Sequence, residues 1–316
     1  MQTPVGGKPT SVVPAAGAAQ LSLRQRIFDG DLGGYVLIAP ALIVLALLTV
    51  WPLIFSVGIS LTNYNGMQKP PLEFVGLDNY ARAVNDPFFI GSVVTTAKIA
   101  IVALPLQIIL AYLCARILLA AQGMVGSGLF RTLFIVPTMM SSLTIALFFV
   151  YSLDPAIGVA DQILKLLGLP KLLFFADPSQ APITITALFL WQWVPFTALL
   201  LLAGLLGIPR QIHEAAEIDG SSWYQRIRYI DLPLLRRVLV IALILATVEI
   251  IRMFDLVYGA THGGPGTSTY TVSIGIYRTG FQDFNTAVAA ANSLMVLVIT
   301  IFIAQVFVRE MRKEQQ

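Results

Sequence analysis

Residues 208–233 read Ile208-Pro-Arg-Gln-Ile-His-Glu-Ala-Ala-Glu-Ile-Asp-Gly-Ser-Ser-Trp-Tyr-Gln-Arg-Ile-Arg-Tyr-Ile-Asp-Leu-Pro233. Pro209 suits a first helical turn, where its missing N–H has no intrahelical partner. The composition then predicts a short helix over Arg210–Ile218 with Ile212, Ala215 and Ala216 on one side. Gly220, free to adopt positive φ, stops it. Ser221 or Ser222 is placed to cap a second short helix carrying Trp223, Ile227 and Ile230 at helical spacing. Pro233 is expected to end that helix and begin the turn into the next segment. Two short helices around a glycine make a rigid knob. Physics alone leaves two uses open: a plug for a groove on a cytosolic partner, or an amphipathic hairpin lying on lipid.

Outward from this hairpin the chain is apolar. Of 316 residues 57% are hydrophobic and 12% charged, and the mean hydropathy is +0.79. Soluble domains carry about one quarter charged residues, so the composition indicates a membrane protein. Six stretches approach or exceed the roughly 20 residues that span a bilayer: Gly34–Leu61, Gly91–Leu119, Arg131–Leu153, Pro182–Gly207, Val238–Gly259 and Asn285–Val308. Pro52, Pro105, Pro137 and Pro195 lie within or near four of them. Kinks there are tolerated because neighbouring helices and hydroxyls re-satisfy the freed carbonyls. Residues 1–33 read as a mobile cytoplasmic tail with no cleavable signal, 34–308 as the membrane domain with its long inner loop at 208–237, and 309–316 as a second cytoplasmic tail.

Basic residues orient the chain. With the N-terminus inside, 13 of the 20 Lys and Arg residues fall on the cytoplasmic side. Both termini are therefore expected in the cytoplasm, and the fold class is an all-α membrane bundle of six spans. Outer loops near 62–90, 154–181 and 260–284 should be partly structured, with an amphipathic piece at Ala160–Leu167. A net charge of +3 without basic runs gives no reason to expect nucleic acid. The single cysteine, Cys114, excludes an internal disulfide.

The hairpin resembles a known family. Glu214-Ala215-Ala216, Gly220, Ile230 and Leu232-Pro233 match the EAA signature of importer-type ABC permeases at every anchor, with Asp219 before the glycine fitting its longer form. Three further segments resemble carbohydrate-uptake permeases of the maltose and glycerol-3-phosphate type, specifically the first of their two paired subunits: Ile38–Tyr64, Phe74–Tyr80, and Arg252–Tyr258 with Gly263-Gly264-Pro265. The resemblance implies a type I importer permease in the bacterial inner membrane. It further implies a second homologous permease, two copies of an ABC ATPase, an extracytoplasmic solute-binding protein and surrounding lipid. Glu214, Ala215, Ala216, Asp219 and Gly220 would then dock on the ATPase. No P-loop motif occurs, so ATP and Mg would be bound by that partner and no cofactor is expected in this chain.

Several polar residues in apolar surroundings invite two readings. Glu249, Arg252 and Asp255, spaced i, i+3 along one span, either pair with one another structurally or line a solute path. Gln192 and Trp193 offer an amide and a ring to a sugar, and Trp191 serves either that platform or an interfacial belt. Tyr258 and Asn292 are further path candidates, although Asn292 is also suited to bonding between helices. His213-Glu214…Glu217 lacks the second histidine of a zinc helix, so no metal site is expected. An ion-coupled secondary transporter, a membrane scaffold, and an ABC permease for a non-sugar solute such as glycerol phosphate remain alternatives at this stage.

Overall fold

A computed structural model describes residues 31–67 and 72–312, with side chains described for 38–67 and 72–309. The N-terminal tail before residue 31 and the last four residues lie outside the described residues. The helices in chain order are α1 (Asp31–Ser60), α2 (Asp78–Asn85), α3 (Pro87–Ala120), α4 (Ser127–Met139), α5 (Ser142–Ser152), α6 (Val159–Leu166) and α7 (Ala181–Leu206). They continue with α8 (Arg210–Ile218), α9 (Trp223–Arg226), α10 (Leu232–Ile251), α11 (Asp255–Thr261), α12 (Val272–Tyr277) and α13 (Thr286–Arg312). Wide π turns occupy Ile227–Asp231 and Arg278–Gln282. Contacts divide the chain after Phe55, and the bundle considered below belongs to the unit beginning at Ser56.

The bundle is organised on α3 and α7. Asp86 caps α3, its carboxylate accepting from Phe88 N at 2.9 Å, and Pro87 occupies the first turn. Along α3, Ser92, Thr96, Ile99, Ala103, Gln107, Ala111, Ala115 and Leu118 are buried at three- and four-residue spacing, which is one face of a helix. Its alanines let α7 approach closely. Gln107 Nε2 donates to Thr197 Oγ1 at 2.8 Å and pins the two helices inside the apolar layer. The α7 helix is apolar on every side and mostly enclosed, as expected of a helix surrounded by others. Gly204 permits α10 to cross it: a Cβ there would stand 2.6 Å from Leu235 Cδ2.

Among the described residues, α1, α3, α7 and α13 are single helices long and apolar enough to cross a membrane. Two expected spans depart from that form. The third is not continuous: α4 and α5 meet at 93°, with Met140 and Ser141 in extended conformation just after Pro137. The fifth is α10, which starts earlier than expected, carries Arg236, Arg237 and Glu249, and stops at Ile251. The chain breaks at Arg252–Phe254 before α11. Hydroxyls from a later segment receive the freed carbonyls: Ser273 Oγ donates to Ile251 O at 2.6 Å and Thr271 Oγ1 to Met253 O at 3.4 Å. This is how broken helices survive at membrane depth.

The loops on the side away from residues 208–233 are structured as their composition indicates. The Asn79 amide donates to Ser60 O (2.8 Å) and Thr62 O (2.7 Å), closing the end of α1. The amphipathic piece expected at Ala160–Leu167 is α6. Asp154 accepts the N–H groups of Ala156 and Ile157, and Asp177 accepts from Ser179 and Gln180. These bonds favour the ionised carboxylates and hold both below the usual range.

Candidate functional site: an exposed hairpin and a polar cavity

The hairpin forms as its sequence indicates. The α8 helix spans Arg210–Ile218, and Gly220 takes φ +71° at the reversal. Both the N–H and the hydroxyl of Ser221 bond Ala216 O, at 3.0 and 2.7 Å, closing the end of α8. Ser222 and Gln225 form a reciprocal capping box for α9. Arg226 Nη1 reaches Glu217 Oε1 at 2.5 Å across the turn, and Arg210 pairs with Glu214 at 2.9 Å along α8. The knob is thus braced internally. Its outward surface remains uncovered: Ile218 is 87% exposed, and Trp223, Tyr224 and Tyr229 are exposed as well. Glu214, Ala215, Asp219 and Gly220 are exposed on the same hairpin, with Ala216 half-buried.

Pro233 does not end the second helix. The chain passes from α9 through the π turn Ile227–Asp231 directly into α10, with Leu232 N bonding Ile227 O. A five-residue return opens the helix just where proline lacks a donor and its ring needs space. The hairpin therefore continues rigidly into α10 instead of joining it through a turn. The extra residue also rotates Asp231 inward.

That rotation assembles a cluster the sequence analysis did not find. Asp231 is fully buried. Its Oδ2 accepts from the hydroxyl of Tyr112 and from Arg116 Nη1, the latter at 2.8 Å. His213 Nε2 of α8 lies 3.7 Å from Oδ1, an oxygen with no hydrogen bond among the described residues. One carboxylate thus joins α8, the root of α10 and the end of α3. The available signal was an aspartate between Ile230 and Leu232, and a Tyr–Arg pair at i, i+4.

A second constellation lies beyond the other end of α10. Ser142, Gln192, Trp193, Glu249, Arg252 and Asp255 line one cavity of about 110 Å³. Five of these were singled out from sequence, from two separate segments, and the fold brings them together. They do not share a helix face as expected, because the break at Arg252–Phe254 separates Asp255 from α10. The break does more: it turns both sides of the joint toward the cavity. Among the described residues no ion pair links Glu249, Arg252 or Asp255 to one another or to any other group, so mutual neutralisation does not account for their placement. Gln192 has a second task. Its Nε2 donates to Met140 O at 3.1 Å, satisfying the carbonyl at the α4–α5 joint, and its amide also bonds Ser142.

The remaining candidates stand elsewhere. Trp191 packs edge-on against Phe149 at 5.4 Å and lines a separate apolar cavity with Cys114 and Phe134. Tyr258 stacks on Phe254, which lines the polar cavity, at 5.1 Å. Asn292 is buried in α13 away from the cavity, its Oδ1 without a partner among the described residues.

Residues 107–313 match the model of a family described as the binding-protein-dependent transport system inner membrane component. This chain belongs to that family. Among its relatives, the trehalose/maltose transport system permease MalF of Thermococcus litoralis is 35% identical over 275 residues, covering 85% of this chain and 91% of the relative. The lactose transport system permease LacF of Rhizobium radiobacter is 30% identical, covering 90% and 96%. In fold the chain is similar to a chain of a bacterial ABC transporter that imports alginate, with a TM-score of 0.78 at 21% identity, covering 93% of this chain and 99% of that one. The family membership makes the chain a multi-pass permease of an inner membrane, and a transport subunit rather than an enzyme.

Proposed function

We propose that this chain forms half of the translocation path of an ATP-driven importer for a sugar or sugar-like solute. The observation that carries this reading is the convergence of Gln192, Trp193, Glu249, Arg252 and Asp255 on one cavity at the end of α10, whose other end is the exposed coupling hairpin. Two carboxylates, one guanidinium, an indole and a hydroxyl suit a neutral polyhydroxy solute better than an anion. The names of the relatives, which include permeases for trehalose/maltose and lactose, support the sugar class. A permease of glycerol 3-phosphate also lies among them, at 28% identity, and such a solute is the competing reading. An ion-coupled secondary transporter has no use for the hairpin.

In this reading all six segments cross the membrane, the third as the bent α4–α5 pair and the fifth as α10 despite its charges, with both termini cytoplasmic. A second homologous permease completes the path. Two ATPase subunits, which bind the ATP and Mg, dock on Glu214, Ala215, Ala216, Asp219 and Gly220, and a solute-binding protein delivers from the opposite face. One similar solved structure is an importer in complex with a periplasmic protein carrying an alginate pentasaccharide, and it lends the last partner support. Closure of the ATPases would move the hairpin, and with it α10 and the Asp231 cluster on α3, to open the cavity outward.

The test is co-purification and uptake. Glu214→Ala and Gly220→Trp should lower ATPase association and solute uptake together, while the permease remains folded in the membrane. Unchanged association and uptake in both variants would refute the coupling assignment, and uptake persisting without the ATPase would indicate a secondary transporter.

A further inference from the structure

Four aromatic rings run without interruption from the polar cavity to the open surface, and a fifth ring leans on their side. Phe254 lines the cavity. Tyr258 stacks on it at 5.1 Å with 19° between planes, and Tyr277 meets both, at 4.9 Å from Phe254 and 5.4 Å from Tyr258. Phe281 stacks on Tyr277 at 5.5 Å and 26°, and His262 leans on Tyr258 at 4.6 Å. Phe254 and His262 flank α11, which carries Tyr258, while Tyr277 ends α12 and Phe281 belongs to the π turn Arg278–Gln282. The π turn matters because its wider return carries Phe281 onto the Tyr277 ring.

Ordinary core packing would enclose such a cluster. Here enclosure decreases along the row: Phe254, Tyr258 and Tyr277 are half-buried, and Phe281 is 71% exposed. Charged groups flank both ends. Arg252 and Asp255 stand exposed beside Phe254, and Arg278 and Asp283 beside Phe281. An aromatic face bordered by hydrogen-bonding groups fits a pyranose, whose axial C–H groups form an apolar face and whose equatorial hydroxyls point sideways. Aromatic faces are electron-rich, and therefore attract polarised C–H groups without demanding one fixed register. A row of them permits a bound sugar to shift from one ring to the next, whereas hydrogen bonds alone would hold it at one point.

We propose that Phe254, Tyr258, Tyr277 and Phe281 form a stacking track along which a sugar passes between the open surface and the Arg252–Asp255 cavity. The inference rests on the sugar-import reading above and adds to it an entry route that begins at Phe281. His262 closes the side of the track at Tyr258.

The experiment uses the complete importer in proteoliposomes, with its binding protein and radiolabelled maltose, trehalose and lactose as probes. Tyr277→Leu and Phe281→Leu keep apolar bulk but remove the flat face, whereas Tyr277→Phe keeps the face and removes only the hydroxyl. The expected result is an uptake rate reduced about tenfold at limiting binding protein in either Leu variant, equivalent to about 1.4 kcal/mol, and nearly unchanged in Tyr277→Phe. Co-purification of all subunits shows that each variant is assembled. If the unaltered importer moves one of these sugars and both Leu variants stay within about twofold of it, the track is wrong and the sugar reading stands. If the unaltered importer moves none of them but takes up glycerol 3-phosphate, the sugar reading and the track fall together.

Discussion

Asp231 is a carboxylate held wholly out of solvent, and Arg116 and Tyr112 replace the water it has lost. Removing one partner of a buried pair costs more than the pair contributes, because the remaining charge is stranded. Arg116→Ala should therefore destabilise the protein by about 3–5 kcal/mol, read as a lowered unfolding midpoint in detergent. Adding Asp231→Asn to Arg116→Ala should recover part of that loss, since a neutral amide no longer requires the cation. If the double variant is as unstable as the sum of both single variants, the electrostatic account of the cluster is wrong. The same scale shows why the hairpin residues proposed for coupling were legible in the sequence and their anchor was not. Glu214, Ala215, Ala216 and Gly220 lie close together in one segment. Tyr112 and Asp231 are 119 positions apart, and nothing local in either segment announces the other.

At the level of elements, helix existence and type were legible almost throughout. The α3, α7 and α13 helices lie within a few residues of the expected spans because their length and hydropathy are unambiguous. The hairpin was legible for a different reason: each of its features, from Pro209 to the Ser222 cap, is a local backbone preference. The joints were not legible. Pro137 signalled a kink, yet a 93° bend needs the Gln192 amide as well. Nothing around Arg252 demands a helix end until Thr271 and Ser273 supply their hydroxyls. Ser273→Ala should thus destabilise by about 1 kcal/mol, the cost of leaving the part-buried Ile251 carbonyl without its partner, read as a lowered unfolding midpoint. The crossing of α7 and α10 makes a sharper prediction. Gly204→Leu would drive a side chain into Leu235 and Val238. Overpacking of about 1–3 kcal/mol is expected, with Gly204→Ala milder, both measurable as loss of folded protein on heating.

For the whole molecule, the two constellations lie at opposite ends of α10, and the proposed six-span topology would determine which faces the cytoplasm. In that proposal the distribution of arginine and lysine would put the hairpin and both termini inside. In a Cys114→Ser background, Gln2→Cys and Gln315→Cys should each react with a membrane-impermeant maleimide only after the membrane is opened. Labelling of either residue in intact cells would overturn the topology. The composition announced a membrane protein and the hairpin a powered importer. Five residues of the cavity could be named from sequence but not assembled, because its walls come from segments 50 to more than 100 positions apart. The α4–α5 joint also bears on how the chain is made. Met140 O is satisfied by Gln192, which leaves the ribosome roughly 3–10 s later at typical elongation rates. Ile251 waits likewise for Ser273. Each broken segment thus gains its last hydrogen-bond partner only when a later one arrives, and an N-terminal fragment that stops short of residue 273 lacks the hydroxyl that caps the joint beside the cavity.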